Sequence, residues 1–440
     1  MEHKIKAEAF MKKYGMHYED LDFDRRCKDF VSEMENGLEG KPSSLLMLPT
    51  YLTVSENIPA YKTVIVMDAG GTNFRIATVT FDERKKAVIN DFKVFPMLGT
   101  NLKPNEEVSA DEFFNTIADE LLPLIGKSNT DSIGFCFSYP TEILPNKDGK
   151  LIRFTKEIDI KGLPGLEIGA GINAALRKKG VEKDKRFVLL NDTVASMIAG
   201  ISASSRRTFS DYIGFILGTG TNTSYIEKSE KISKIDSAGL PEKMGINIEA
   251  GGFLKVPSGD IDKFFDAATV TPGQSIYEKM ISGAYLGTLI YHVINFAIRE
   301  GLFSADFADK FSHIRDITMR SVDEFCTYPD GDNLLAAFVE GNEDDRLTLY
   351  YLLDAVFERT AKLVAVNIAS VMLKTGSGSD PTRPVCVVAE GTTFYKSKLL
   401  RPKLDYYSKI YINDRLGLWF EFQKLDNATL IGTAAAALLN

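Results

Sequence analysis

At 440 residues the chain is too long for one ordinary core, so two domains or three are expected. Its 44% hydrophobic and 25% charged shares are those of a globular protein that dissolves in water, and a net charge of −8 gives no pull toward nucleic acid or an anionic membrane. Residues 1–14 are rich in Lys and Glu with no apolar core, and no segment approaches the roughly 20 apolar residues that span a bilayer, so a cytosolic location is expected.

Residues 1–59 read as helix followed by loop: Phe23, Phe30 and Met34 fall on one helical stripe, and Pro42 ends the pattern. TVIVM at 63–67 reads as a buried strand. It meets the tight turn Asp68-Ala-Gly-Gly-Thr-Asn73, and RIATVTF at 75–81 returns as a second strand. Residues 111–125 read as an amphipathic helix, and IGFCF at 133–137 as a strand ending in Ser138-Tyr-Pro140. FVLL at 187–190 is a strand that stops at Asn191-Asp192-Thr193, followed by a helix over 194–201.

The opening pattern then recurs. YIGFIL at 212–217, the turn Gly218-Thr-Gly-Thr-Asn222 and a returning strand over 224–227 make a second strand–Gly-turn–strand unit. Two such units point to two similar α/β halves facing a cleft. Residues 275–298 and 346–374 carry long helical periodicity, GSGSDPTRP at 376–384 is a loop, and VCVVA at 385–389 is a strand ending in Glu390-Gly-Thr-Thr393. A closing helix is expected over 428–439.

Ligands of open α/β sheets bind at the carboxyl ends of strands, where these polar turns lie. The two Gly turns offer backbone N–H groups without a Cβ shield, as a bound phosphate requires; each alone also fits a plain hairpin tip. Neither is a Walker loop or a dinucleotide fingerprint. Asp68 is placed either to hold Mg²⁺ through water or as an Asx-turn residue. Asp192 is placed either as an ordinary helix N-cap or as a carboxylate that takes a proton from an attacking hydroxyl. Glu249 lies among glycines that admit a ligand. Gln274 and Glu278 are four apart on one helix face, suited to pairs of hydroxyls, although Glu278 beside Lys279 also fits a solvated face.

Cys27, Cys136, Cys326 and Cys386 are scattered, which argues against zinc and disulfides. His3, His17, His292 and His313 lie near neither a Gly turn nor a Cys cluster, so proton transfer falls to carboxylates.

In their order these segments resemble the eukaryotic-type hexokinase/glucokinase family. Met47-Leu-Pro-Thr-Tyr51 resembles the segment before the small lobe, Asp68 to Arg75 the first phosphate loop, and Phe135 to Pro140 with Thr155-Lys156 the two sugar-contacting segments. Leu190-Asn-Asp-Thr193 resembles the catalytic segment and Gly218 to Asn222 the second phosphate loop. Gly245-Ile-Asn-Ile-Glu249, Pro272-Gly-Gln274 and Tyr277-Glu-Lys279 resemble the remaining sugar motifs, and Glu390-Gly-Thr392 the adenosine motif.

The resemblance implies a duplicated actin-like (ribonuclease H-like) ATPase fold whose two lobes close on the sugar. The small lobe is expected over 60–190 with the C-terminal helix 427–440, and the large lobe over 1–59 and 191–426. The implied activity is Mg²⁺-dependent transfer of phosphoryl from ATP to the 6-hydroxyl of glucose or a related hexose, by a monomer or homodimer. Asp192 would be the base and Lys156 would neutralise charge on the transferred group. Ser138, Thr155, Lys156, Asn191, Asp192, Asn222, Glu249, Gln274 and Glu278 would bind the hexose. Asp68, Gly70, Gly71, Thr72, Asn73, Arg75, Gly218, Thr219, Gly220, Gly391 and Thr392 would serve MgATP, with Asp68 meeting the metal through water. Two alternatives are a sugar sensor without catalysis and another actin-like member, such as a chaperone ATPase or a repressor-type sugar kinase.

The chain departs from the family at several positions. Ala69 stands for Leu, Ala250 for the Trp after the sugar-binding Glu, and Glu390 for Asp; Glu390 to Lys396 carries an extra residue. The Gly-rich start of the last helix is weakened to Asn427-Ala-Thr-Leu-Ile-Gly432. The chain reads as a single unit without tandem duplication or an apolar anchor, from a divergent, microbial-like branch.

Overall fold

The computed structural model describes residues 1–70, 73–100, 107–128, 130–154, 160–203, 207–236 and 238–440. Leu48–Thr53 forms β1. The meander Thr63–Ala69 (β2), Asn73–Phe81 (β3) and Ala87–Pro96 (β4) follows. Val108–Ser109 (β5) precedes the helix Ala110–Ser128, after which come Ser132–Phe137 (β6), Thr141–Ile143 (β7), Gly149–Leu151 (β8), Ile160–Lys161 (β9) and Arg186–Leu190 (β10). The second run is Asp211–Leu217 (β11), Thr221–Lys228 (β12), Lys243–Asn247 (β13), Val385–Glu390 (β14) and Phe420–Gln423 (β15).

One sheet has the order β10-β6-β2-β3-β4, and the other has the order β1-β13-β12-β11-β14-β15. In the first, β2 pairs antiparallel with β3 and parallel with β6; β3 pairs antiparallel with β4, and β6 parallel with β10. In the second, β11, β12, β13, β14 and β15 repeat those directions in the same places. The helices repeat as well. Ala110–Ser128 and Glu343–Thr375 precede the fourth strand of each unit, and Asp192–Ala203 and Ala428–Leu439 follow the fifth. This is the duplicated actin-like ATPase fold.

The core has three parts, which follow from the two sheets. Each sheet buries both faces, so its central strands are continuous apolar runs; β6 is buried along its whole length. Ala110–Ser128 and Ile168–Lys178 cover the outer face of the first sheet, and Glu343–Thr375 lies in the core beyond the second. Between the sheets lie Asp192–Ala203 and Ala428–Leu439, packed against Val64, Val188, Tyr212 and Val388. The Ala434 to Ala437 run is fully buried there, because only small side chains fit a helix crossing between two sheets.

Three elements differ from the sequence reading. Leu48–Thr53 is not loop: it adds an edge strand antiparallel to β13, with an irregular register between Pro49 and Thr53, an edge being where a proline is tolerated. Ala87–Pro96 is a strand whose residues are mostly exposed, so no buried apolar run announces it. The periodicity over 275–298 belongs to two helices, Ile276–Ile281 and Gly283–Arg299, broken at an extended Ser282. The break frees the amides of Gly283 and Ala284 to donate to the carbonyls of Gly218 and Thr219 at 2.8 and 3.0 Å. No helix among the described residues is long and apolar enough to cross a membrane, and all four cysteines are buried and free.

Candidate functional site

The carboxyl ends of the parallel strands place the site. In the first sheet β2 ends at Asp68 and Ala69, β6 runs into Ser138 and β10 into Asn191; in the second, β11 runs into Gly218 and β14 into Gly391. Pairing sets Asp68 beside Cys136 and Ala69 beside Phe137, so the Ser138 amide donates to the Ala69 carbonyl at 3.2 Å.

Asp192 opens the central helix. The N-cap role falls to its neighbour: the Asn191 carbonyl accepts from the Ala195 amide and its Oδ1 from the Thr193 amide, both at 2.9 Å. Asp192 Oδ1 also accepts from the Thr193 amide, at 2.9 Å. A carboxylate on the first turn is favoured in its charged form by the helix N-terminus.

A polar chain runs from Asn191 into the second sheet. Asn222 Nδ2 lies 3.3 Å from Asn191 Oδ1, 3.3 Å from Glu249 Oε1 and 2.7 Å from Asn247 Oδ1. Asn247 Nδ2 donates to Glu249 Oε1 at 2.8 Å. Glu249 has left-handed backbone, φ 57° and ψ 51°, a conformation that costs a non-glycine residue roughly 1–3 kcal/mol. It persists because both sides are tied: the next amide, that of Ala250, donates to Asn222 Oδ1 at 3.1 Å. Burial pushes the Glu249 carboxyl up to about 7, against the Asn247 hydrogen bond; the charges of Asp192 and Glu278 push the same way, and Arg153 opposes them.

Glu278, on the helix Ile276–Ile281, reaches the second Gly turn, its Oε2 accepting from the Thr221 amide at 2.9 Å. A Cβ on Gly220 would stand 2.7 Å from that oxygen, so only glycine makes room for the carboxylate. Lys279 does not share a solvated face with it. Lys279 is 2% exposed, and its Nζ reaches Asp266 Oδ1 at 2.5 Å, Thr269 Oγ1 at 2.9 Å and the Thr271 carbonyl at 2.6 Å. Asp266 Oδ2 accepts from the Gly273 amide at 2.8 Å. The clamp fixes the turn that carries Gln274, which itself is exposed.

The two Gly turns differ in what the described residues show. In the second, the Gly218 amide donates to the Gly220 carbonyl at 2.9 Å and the Thr221 amide is taken by Glu278. The amides of Thr219 and Gly220 have no partner among the described residues, which suits a phosphate oxygen. Gly391, at φ 111°, backs this turn: a Cβ there would lie 2.2 Å from the Leu217 carbonyl. Thr392 beside it is exposed, and Glu390 is pushed up to about 7 by burial, with Lys424 and Arg75 opposing. In the first turn the Gly70 amide donates to the Asn73 carbonyl at 3.1 Å. Asp68 is buried; Thr429 Oγ1 donates to its Oδ2 at 2.9 Å and Arg75 Nη1 lies 3.5 Å away. Burial raises its pKa, Arg75 lowers it, and the Asp192 charge raises it further.

Gly71, Thr72, Thr155 and Lys156 lie outside the described residues. Sequence reasoning gave no role to Asn247, although it stands inside the Gly245-to-Glu249 segment, and missed Asp266, twelve residues before Glu278, for which no local pattern exists.

Residues 7–202 and 212–439 match two family models, both described as hexokinase. Hexokinase-1 of Schizosaccharomyces pombe is 27% identical over 429 residues, covering 93% of this chain and 86% of its own. Hexokinase-5 of Oryza sativa subsp. japonica is 30% identical over 378 residues, covering 80% and 72%. The solved structure of a hexokinase from Schistosoma mansoni complexed with glucose superposes with a TM-score of 0.78 at 24% identity, covering 99% of both chains.

Proposed function

The chain belongs to the hexokinase family, and from that premise we propose that it phosphorylates the 6-hydroxyl of a hexose, glucose foremost, with ATP as donor and Asp192 as the base. The observation that carries the reading is the placement of Asp192: it opens the central helix, within electrostatic reach of both Asp68 at the first Gly turn and the buried Glu249.

The chemistry needs little covalent help. The sugar oxygen attacks the γ-phosphorus, the bond to the bridging oxygen breaks, and the hydroxyl proton passes to Asp192. Asn191, Asn222, Glu249 and Glu278 orient the sugar by accepting and donating at its hydroxyls, with Ser138, Thr155 and Gln274 completing the contacts. Lys156 offsets charge on the phosphoryl group. The amides of Thr219 and Gly220, with Gly70, Gly71, Thr72, Asn73, Arg75, Gly218, Gly391 and Thr392, hold the nucleotide. Closure of the two lobes excludes water, the competing acceptor.

Mg²⁺ fits this donor set: the Asp192 charge raises the pKa of buried Asp68, a crowding of negative charge that a divalent cation relieves. Asp68 would hold it through water. Held there, the cation would supply charge stabilisation to the phosphate oxygens during transfer. The proposal includes a small lobe over 60–190 with 427–440, a large lobe over 1–59 and 191–426, and a cytosolic setting.

A coupled assay of MgATP against glucose, mannose, fructose and glucosamine tests the reading. Turnover with at least one hexose, abolished by EDTA, is expected; no turnover with any of them overturns it.

A further inference from the structure

We infer that Asn247 is a positioning residue for hexose recognition, its side-chain amide holding the Glu249 carboxylate and tying it to Asn222. The inference rests on the proposed role of Glu249 in sugar binding. Asn247 ends β13, opposite Ser224 of β12 and Leu48 of β1, and is 4% exposed. Both ends of its amide are committed to candidate sugar residues: Oδ1 accepts from Asn222 Nδ2 at 2.7 Å, and Nδ2 donates to Glu249 Oε1 at 2.8 Å. The left-handed backbone at Glu249 brings its carboxylate back to this donor.

The physical need is specific. An ionised carboxylate only accepts hydrogen bonds, so it suits sugar hydroxyls; a protonated one loses an acceptor. Burial opposes ionisation of Glu249, as do the charges of Asp192 and Glu278. On the other side stand Arg153 and the Asn247 donor. Asn222 Nδ2, at 3.3 Å from the same oxygen, is a weaker second donor. Asn247 therefore sets both the direction of the Glu249 oxygens and the pH below which they stop accepting.

Asn247→Asp separates this from a packing role. It keeps the shape and the acceptor for Asn222, but replaces the donor to Glu249 with a like charge. Glucose affinity by calorimetry is expected to fall at least about tenfold, and the acid limb of kcat/KM for glucose to move up by about one pH unit, with the KM for ATP unchanged. Asn247→Ala, which adds no charge, moves both readouts the same way and less far. In a Glu249→Gln background the Asn247→Asp effect vanishes, because the carboxylate it acted on is gone. Wild-type affinity and pH limb in Asn247→Asp, or a full Asn247→Asp effect in the Glu249→Gln background, overturns the inference. Wild-type glucose affinity in Glu249→Gln alone overturns the underlying reading instead.

Discussion

The carbonyl oxygen of Ala195 lies 1.7 Å from where a Cβ on Gly432 would stand. The helix that begins with Asp192 and the helix whose Thr429 binds Asp68 therefore cross in backbone contact. The crossing joins the two sheets, and it fixes the Asp192 helix relative to the first Gly turn.

Gly432→Ala is expected to destabilise the protein by about 3 kcal/mol, the upper range for overpacking, because the new methyl meets backbone and not a side chain that can turn away. Thermal unfolding checks this. A melting temperature equal to that of the parent protein would show that the crossing is looser than the geometry says.

Asp192→Ala is expected to keep hexose binding and to lose at least about 10²-fold in kcat, the usual range for a general base. Steady-state kinetics with isothermal titration of glucose separates the two effects. Near-normal kcat would mean that another group takes the proton.

Lys279→Met leaves Asp266 charged and half-satisfied beneath the 269–273 turn. Lys279 is buried but Asp266 is partly exposed, so losing the hydrogen-bonded partner is expected to cost about 1–3 kcal/mol. The turn carrying Gln274 loosens as well, so the KM for hexose is expected to rise at least about tenfold while the KM for ATP holds. A stability loss with unchanged hexose KM would leave the clamp structural and nothing more.

The raised Glu249 carboxyl makes the sugar-free protein sensitive to pH. Its folded value is about 7, against about 4.3 when unfolded. Between those values the folded state keeps a proton that the unfolded state has lost, so stability falls as pH rises. Glu390, at about 7, and Asp211, at about 6, act in the same direction. Glu249→Gln removes one of these contributions. Its melting temperature should decline less steeply than wild type from pH 5 to pH 7, and an unchanged slope would contradict the assignment.

Much of the site was legible because its parts are local. Strand–Gly-turn–strand units show in a few residues, since buried β-branched runs and glycine turns have short-range causes. The second unit, starting at Tyr212, announced the duplication that the matching sheets display. The exposed β4 and the edge strand β1 were not legible, because neither carries a buried apolar run. The break at Ser282 was also hidden: the apolar period continues through it, and its cause is the distant carbonyl of Gly218.

Asp192 shows the division most plainly. Sequence alone determined that a carboxylate stands at a strand end before an apolar helix, among polar turns spaced as in hexokinases. It left the N-cap reading open. The structure shows the cap on Asn191, a local contact, and tertiary packing set Asp192 within electrostatic reach of Asp68 and Glu249. It also gave partners to Asn247 and Lys279, which stand in the quoted motifs without an assigned role, and drew in Asp266, which no motif marks. The reason is physical. Turn and strand chemistry acts over a few residues, whereas hydrogen bonds, buried ion pairs and the charge on a carboxylate depend on which distant residues the fold brings within a few ångströms.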